Sequence, residues 1–164
     1  MKRLLFLFIT CLILTGCKES QTTDGTSTQS TLDKPLFTLL PSSSTGINFK
    51  NDLEEDVNDE TKNILSFDFF FNGAGVGIGD INNDGRDDVF IGGATGFSAS
   101  LFVQTESGSF SKASENFWKK EADYEDVDAT FIDINSDGFQ DLYVVSGGNA
   151  YPKNDPHYTD RVYL

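Results

Sequence analysis

The chain has few of the residues that form disulfides, bind soft metals or bind nucleic acids. Its only cysteines are Cys11 and Cys17, and its only histidine is His157. This composition argues against a disulfide-stapled fold and against a Cys/His zinc site. Lys and Arg number 12 against 26 Asp and Glu, which gives a formal charge of −14. Because a field of that sign repels nucleic acid and attracts cations, we expect no nucleic-acid partner.

The sequence also lacks an apolar run long enough to span a bilayer, which takes about 20 residues. The run from Leu4 to Leu14 has eleven residues and follows a short basic start. That arrangement predicts a secretory signal peptide over residues 1–16. The following "LTGC" is typical of a bacterial lipobox, which predicts a lipid anchor on Cys17 and a place in the cell envelope, on the outer membrane. An ordinary signal peptide with an incidental Cys17 is the alternative.

Beyond the signal peptide, composition divides the chain into a tether, a lead-in segment and two repeats. Residues 17–34 are rich in Ser, Thr, Gln and Asp, which predicts a flexible tether. Residues 35–72 form the lead-in segment, with a short strand expected around residues 46–50 and an acidic loop after it. Residues 63–72, "NILSFDFFFN", alternate apolar and polar side chains and predict a second strand there.

Two acidic stretches, "DINNDGRDD" from Asp80 and "DINSDGFQD" from Asp133, share six of their nine residues at an offset of 53 positions. Each lies between short apolar runs, so each predicts the turn of a β-hairpin. Gly85 and Gly138 stand where the turn needs a positive φ. Oxygen-bearing side chains at these offsets predict a loop wrapped around a hard cation.

Calcium fits these two loops better than the other common metals. It takes about 6–8 oxygen ligands in tolerant geometry, whereas Mg²⁺ prefers rigid octahedral sites and Zn²⁺ prefers Cys or His. An EF-hand is excluded because position 12 is apolar, Ile91 or Val144. Asx-turns without metal are the remaining alternative. The predicted ligands of the two calcium ions, counting the carbonyls of Arg86 and Phe139, are Asp80, Asn82, Asp84, Arg86, Asp88, Asp133, Asn135, Asp137, Phe139 and Asp141.

The repeat of 53 residues, with about four short strands in each unit, is typical of propeller blades. We therefore predict an all-β fold: blade 1 over residues 73–127 and an incomplete blade 2 over residues 128–164. Such units bury their faces only against neighbouring blades, so we expect the chain to be the N-terminal part of a longer β-propeller. A small β-domain that stands alone is the alternative.

The motif Asp-x-Asn-x-Asp-Gly-x-x-Asp between strands resembles the FG-GAP/VCBS repeat, which is also found in integrin alpha-subunit propellers. More narrowly, "FNGAGVGIGDINNDG", "DLYVVSGGN" and "YPKNDPHYTDRVYL" resemble bacterial lipoproteins related to cartilage acidic protein, which often carry an ASPIC/UnbV domain downstream. The resemblance implies a seven-bladed type of propeller, calcium in the blade hairpins and an extracytoplasmic location. It covers roughly residues 36–164.

Candidate catalytic residues are few. His157 with Asp155 or Asp160 could form an acid–base pair, and the pair Asp126 and Asp128 could act as in a glycosidase. The sequence favours simpler interpretations, a surface histidine and carboxylates that flank the metal loop or face solvent. The aromatic residues that could form a sugar-stacking platform, or else core between blades, are Phe117, Trp118, Tyr124 and Tyr151.

Two functions follow from these patterns. The first is a surface-anchored, calcium-stabilised binding or adhesion module for an extracellular protein or glycan. The second is the N-terminal part of an extracytoplasmic polysaccharide lyase or hydrolase with its active site on other blades. The sequence favours the first and leaves enzymatic activity undecided.

Overall fold

The computed structural model describes residues 35–71 and 74–164. The predicted signal peptide, Cys17, the tether and residues 72–73 therefore lie outside the described residues. The chain divides into two units, Met1–Thr38 and Leu39–Leu164, and both sheets belong to the second unit. In the described part of the chain, no helix is both long and apolar enough to cross a membrane.

The first sheet, sheet A, is a four-stranded antiparallel meander in the order β1-β2-β3-β4. The acidic turn joins β1 to β2, and a tight turn with Gly108 at φ 80° joins β3 to β4. The hairpin of β1 and β2 was predicted from the sequence. The strands of sheet A are β1 (Val76–Gly79), β2 (Asp88–Ile91), β3 (Ser100–Gln104) and β4 (Phe110–Lys112).

The second sheet, sheet B, repeats this pattern with three antiparallel strands in the order β5-β6-β7. Its strands are β5 (Asp126–Ile132), β6 (Asp141–Ser146) and β7 (Arg161–Tyr163). A one-turn helix, α2 (Glu115–Trp118), and a 3₁₀ turn (Lys119–Glu121) connect the sheets. The fold is thus all-β with two antiparallel sheets, which is compatible with propeller blades, although the described strands close no ring.

The two sheets pack face to face, and the core lies between them. Strand β1 lies over β5, where Gly75 N–H donates to the Asp126 carbonyl at 2.9 Å. Gly77 and Gly79 leave room there for the ring of Phe131, since a Cβ on Gly79 would lie 2.6 Å from the Phe131 Cβ. The core residues, from both sheets and from α2, are Phe90, Ala99, Trp118, Ala129, Leu142 and Val144.

Within the described residues, the lead-in segment forms neither of the two strands predicted for it. Residues 46–50 belong to no strand and follow a one-turn helix, α1 (Ser42–Thr45), whose C-cap Gly46 has a left-handed φ of 80°. Residues 63–71 form successive turns, because the buried Asn63 side chain accepts the Ser66 N–H at 2.9 Å and donates to the Asp59 carbonyl at 2.7 Å. These local bonds replace the ladder that a strand would need. The acidic stretch before them is an exposed loop, as expected.

Candidate cation-binding loops

In the first acidic loop, carboxylate and amide oxygens hold the backbone in a tight curl. The Asp80 carboxylate accepts the N–H of Asp84 at 3.0 Å and that of Gly85 at 2.7 Å. Asn82 Oδ1 also accepts the Asp84 N–H, at 3.1 Å, and Asp84 Oδ1 accepts the Arg86 N–H at 3.0 Å. Gly85 takes a φ of 83°, the left-handed conformation expected for this position.

The second loop has the same bonds at the offset of 53 residues. The Asp133 carboxylate accepts the N–H groups of Asp137 at 3.1 Å and Gly138 at 3.0 Å. Asn135 Oδ1 accepts the Asp137 N–H, and Asp137 Oδ1 accepts the Phe139 N–H, both at 2.9 Å. Gly138 has a φ of 90°. Two segments with different residues at three of nine positions thus fold in the same way around their shared oxygens.

The last acid of each loop is buried at the start of the returning strand. Asp88 is 0% exposed and Asp141 is 3% exposed. Asp88 accepts the N–H groups of Ile81 at 3.2 Å and Gln104 at 2.8 Å, and Asp141 accepts the Ile134 N–H at 2.9 Å. Each carboxylate thus connects the two ends of its loop, and Asp88 also connects the loop to the end of β3.

The two loops are neighbours, and one hydrogen bond joins them. Asn83 donates from its side-chain amide to the Gly138 carbonyl at 2.8 Å. Asn83 itself has a φ of 56°, and the matching Ser136 has a φ of 62°. Nothing in the sequence pattern marks Asn83 as a bridge, because its partner lies 55 residues away.

Arg86 makes the first loop electrostatically different from the second. Its guanidinium forms an ion pair with Asp84 Oδ2 and donates from Nε to the Gln104 carbonyl at 3.3 Å. Phe139 occupies the matching position in the second loop, where Asp137 Oδ2 instead accepts a bond from the Asn135 amide at 3.1 Å. The first loop therefore has a cation of its own beside a predicted metal ligand.

The donor chemistry of both loops fits a hard divalent cation, with three carboxylates, one amide oxygen and one carbonyl each. As arranged, many of these oxygens accept backbone N–H bonds. Within residues 35–71 and 74–164, no group of three or more His, Cys, Asp or Glu side chains is gathered closely enough to hold a metal. Carboxylate oxygens keep further lone pairs beyond these bonds, so the Asx-turns and a bound cation are compatible.

The candidate acid–base residues lie in two separate places. His157 Nδ1 lies 2.6 Å from Asp155 Oδ1, and its ring stacks on Tyr151 with centroids 4.1 Å apart. The bonds from the His157 backbone N–H and ring lower the pKa of Asp155. Asp160 instead accepts bonds from the Tyr143 hydroxyl and the Ser146 N–H. Of the two predicted partners of His157, the structure brings only Asp155 to it.

Asp126 differs from the sequence-based interpretation, because it neither faces solvent nor lies beside a metal loop. It lies within β5, is 3% exposed and accepts the Gly93 N–H at 2.8 Å. Its other oxygen forms an ion pair with Arg161 of β7, whose guanidinium also lies 4.0 Å from the Tyr124 ring centroid. Asp128, by contrast, is exposed.

Burial raises the pKa of Asp126, although the bonds from Gly93 and Arg161 oppose this shift. For Arg161, burial acts against the charge, but the bond and charge of Asp126, together with Tyr163 and Glu121, raise the pKa. The pair therefore holds the loop after β2 against sheet B. Sequence reasoning missed it because the two residues are 35 positions apart.

The aromatic residues do not form one platform. Trp118 is 6% exposed and packs on Phe90 with centroids 5.1 Å apart. Phe117 and Tyr163 close the cluster, at 4.8 Å and 5.3 Å from Trp118. Tyr124 and Tyr151 lie elsewhere, and both contact the ring of His157. The interpretation of Trp118 as core between the two sheets agrees with this packing.

Paired antiparallel sheets with acidic hairpin loops define a class of all-β repeat protein. Comparison with protein families finds an FG-GAP-like repeat at residues 80–144, a range that begins with the first acidic loop and ends in β6. Searches of the curated proteins and of the solved structures gave no match. The repeat indicates a β-propeller type of protein-interaction module.

Proposed function

We propose that this chain is the calcium-stabilised part of a β-propeller that binds an extracellular protein or glycan. The observation that carries the proposal is the duplicated acidic loop, in which the same oxygens hold the same backbone bonds at an offset of 53 residues. Each curled loop carries three predicted carboxylate ligands within nine residues of chain. A divalent cation would relieve their mutual repulsion and stabilise each hairpin by mass action.

The test is calcium titration of single-loop variants. Asp84→Ala should remove the equivalent bound by the first loop, and Asp137→Ala that bound by the second. Calcium sites of extracellular modules have dissociation constants of about 10⁻⁴–10⁻³ M. Isothermal titration at high protein concentration is therefore suitable. Asp87→Ala is the matched control, since Asp87 is an exposed acid of the first loop that is not a proposed ligand. Unchanged stoichiometry in the Asp84/Asp137 double variant would refute the calcium sites.

We further propose that the module is a lipoprotein anchored through Cys17 on the outer membrane. The proposal is supported by the apolar run and the "LTGC" that precede the polar stretch of residues 18–34. It also draws on the resemblance to bacterial lipoproteins related to cartilage acidic protein. Labelled palmitate should be incorporated by the wild type and not by Cys17→Ser, and incorporation that persists in this variant would contradict the anchor.

A further inference from the structure

A cavity of about 830 Å³ lies away from the acidic loops. The acidic turns join β1 to β2 and β5 to β6, whereas the cavity is lined by the residues that follow β2 and β6 at the other ends of these strands. The lead-in segment supplies the opposite wall. A volume of this size is within the usual range of small-molecule sites, about 300–1,000 Å³.

Phenylalanine side chains form the apolar part of the cavity. Phe67, Phe70 and Phe71 come from the turns of the lead-in segment, and Phe97 comes from the loop after β2. The rings of Phe70 and Phe71 meet edge to face at 4.7 Å. Phe71 is exposed, whereas Phe67, Phe70 and Phe97 are half-buried. Rings on irregular backbone keep their positions only if the backbone itself is fixed.

Two asparagines fix this backbone. Asn63 is 2% exposed, and its bonds to Asp59 and Ser66 shape the turn that carries the phenylalanines. Asn51 joins the lead-in segment to the loop after β2, where its side chain accepts the Ala94 N–H at 3.4 Å and donates to the Gly92 carbonyl at 3.5 Å. The start of the acidic loop is thus joined to the loop after β2, which carries Phe97.

The polar lining of the cavity is mainly acidic. Its charged residues are Asp52, Glu54, Glu125 and a single lysine, Lys62. Asp52 has Lys50 as a partner, and Lys62 lies 3.8 Å from Asp59. Glu125 is half-buried and takes one bond from the Thr95 hydroxyl at 3.3 Å.

Glu125 is a partly buried carboxylate that a positively charged group of a ligand would stabilise. Burial raises its pKa, and the charge of Asp126 adds to the shift while the Thr95 bond opposes it. No cationic residue of the described chain contributes to that balance. A partly desolvated carboxylate gains most from a cation brought by a ligand, and phenylalanine faces also attract cations within about 6 Å.

We propose that this cavity binds an organic cation, an ammonium or guanidinium group on an apolar body. The positive group pairs with Glu125, and the apolar body contacts Phe67, Phe70 and Phe97. A neutral ligand of the same shape would leave the Glu125 charge uncompensated, and an anion would be repelled. This inference goes beyond the proposed function and does not depend on calcium.

The test uses the purified chain and three probes at neutral pH. Phenethylammonium carries the charge on an aromatic body, 2-phenylethanol is its neutral counterpart, and acetyl-Phe-Arg-amide presents a basic side chain on a peptide. We expect both cations to bind. The alcohol should bind at least tenfold more weakly, because it loses one charge-assisted hydrogen bond, which corresponds to about a tenfold change in affinity. Tighter binding of the peptide than of the free amine would identify a polypeptide as the source of the cation.

Variants of the cavity test whether Glu125 is responsible for this binding. Glu125→Gln keeps the shape and the bond from Thr95 but should weaken both cations by about tenfold. Glu106→Gln, in the exposed turn between β3 and β4, changes the net charge equally and should bind as the wild type does. Phe97→Leu should also weaken binding. Equal binding of amine and alcohol, or full affinity in Glu125→Gln, would overturn the proposal whether or not calcium binds.

Discussion

The acidic loops share their ligand positions and differ in charge at two others, where Arg86 corresponds to Phe139 and Asp87 to Gln140. The Arg86 guanidinium is paired with Asp84, so a cation entering the first loop would meet a positive charge already on a proposed ligand. Phe139 brings no charge to the second loop. Although both loops fold alike, they should therefore not bind calcium alike.

We expect Arg86→Phe to raise the calcium affinity of the first loop and Phe139→Arg to lower that of the second. The change should be about fivefold in each case, since exposed ion pairs contribute up to roughly 1 kcal/mol. Isothermal titration of variants that keep one functional loop measures each site separately. Lys120→Ala is the control, because it removes an exposed charge outside the loop. Equal affinities across the exchange would show that Arg86 does not compete with the ion.

The ion pair between Asp126 and Arg161 should be the most costly charge pair to break in the described part of the chain. Their side chains are 4% and 12% exposed, and Asp126 also holds the Gly93 N–H. Asp126→Ala leaves the buried guanidinium with only Glu121, 3.5 Å away, as an ionic partner and takes the acceptor from the Gly93 N–H, at a cost of about 3 kcal/mol. Glu115→Ala breaks exposed pairs with Lys112 and Lys119 and should cost less than about 1 kcal/mol. Urea unfolding of the two variants compares them, and equal losses would contradict this ranking.

At the scale of elements, the hairpins were predictable and the lead-in segment was not. Each acidic loop marks its own turn, so the strands on both sides and their register follow from local sequence. Residues 63–71 have the alternation of a strand, but the side chain of Asn63 captures the backbone and folds it into turns. The ligand candidates were likewise visible as a pattern, whereas the bridge from Asn83 to Gly138 and the ion pair of Asp126 depend on tertiary packing.

The contact between β1 and β5 needs glycine in β1, which gives a graded prediction. A Cβ on Gly79 would lie 2.6 Å from the Phe131 Cβ, an atom that cannot move without its backbone. On Gly77 the nearest atom would be the Phe131 ring, at 3.2 Å, which can tilt. We expect Gly79→Ala to destabilise the protein by about 1–3 kcal/mol and Gly77→Ala by less. Thermal unfolding measures both, and the reverse order would show that β1 does not pack on β5 as described.

For the whole molecule, the important asymmetry is between the two faces of each sheet. The face of sheet A that contains Gly77 and Phe90 is covered by sheet B. The face of sheet B that points away from sheet A carries Ile132, 50% exposed, and Val162, 46% exposed. By repetition of the same packing, a further repeat fits on this open face of sheet B, as the propeller proposal requires.

The open face of sheet B, defined by Thr130, Ile132 and Val162, should make the chain self-associate. Val76 and Ile78 are also exposed on the outer side of β1, so one molecule can place that side on the open face of another, head to tail. Ile132→Lys puts a charge into this contact, and burial of an isoleucine is worth roughly 1.5–3 kcal/mol. We therefore expect association to weaken by at least about tenfold in sedimentation velocity.

Ser107→Lys adds the same charge in the exposed turn between β3 and β4 and should associate as the wild type does. If Ile132→Lys also associates as the wild type does, the open face of sheet B is not the contact, and the packing of a further repeat on it loses its support.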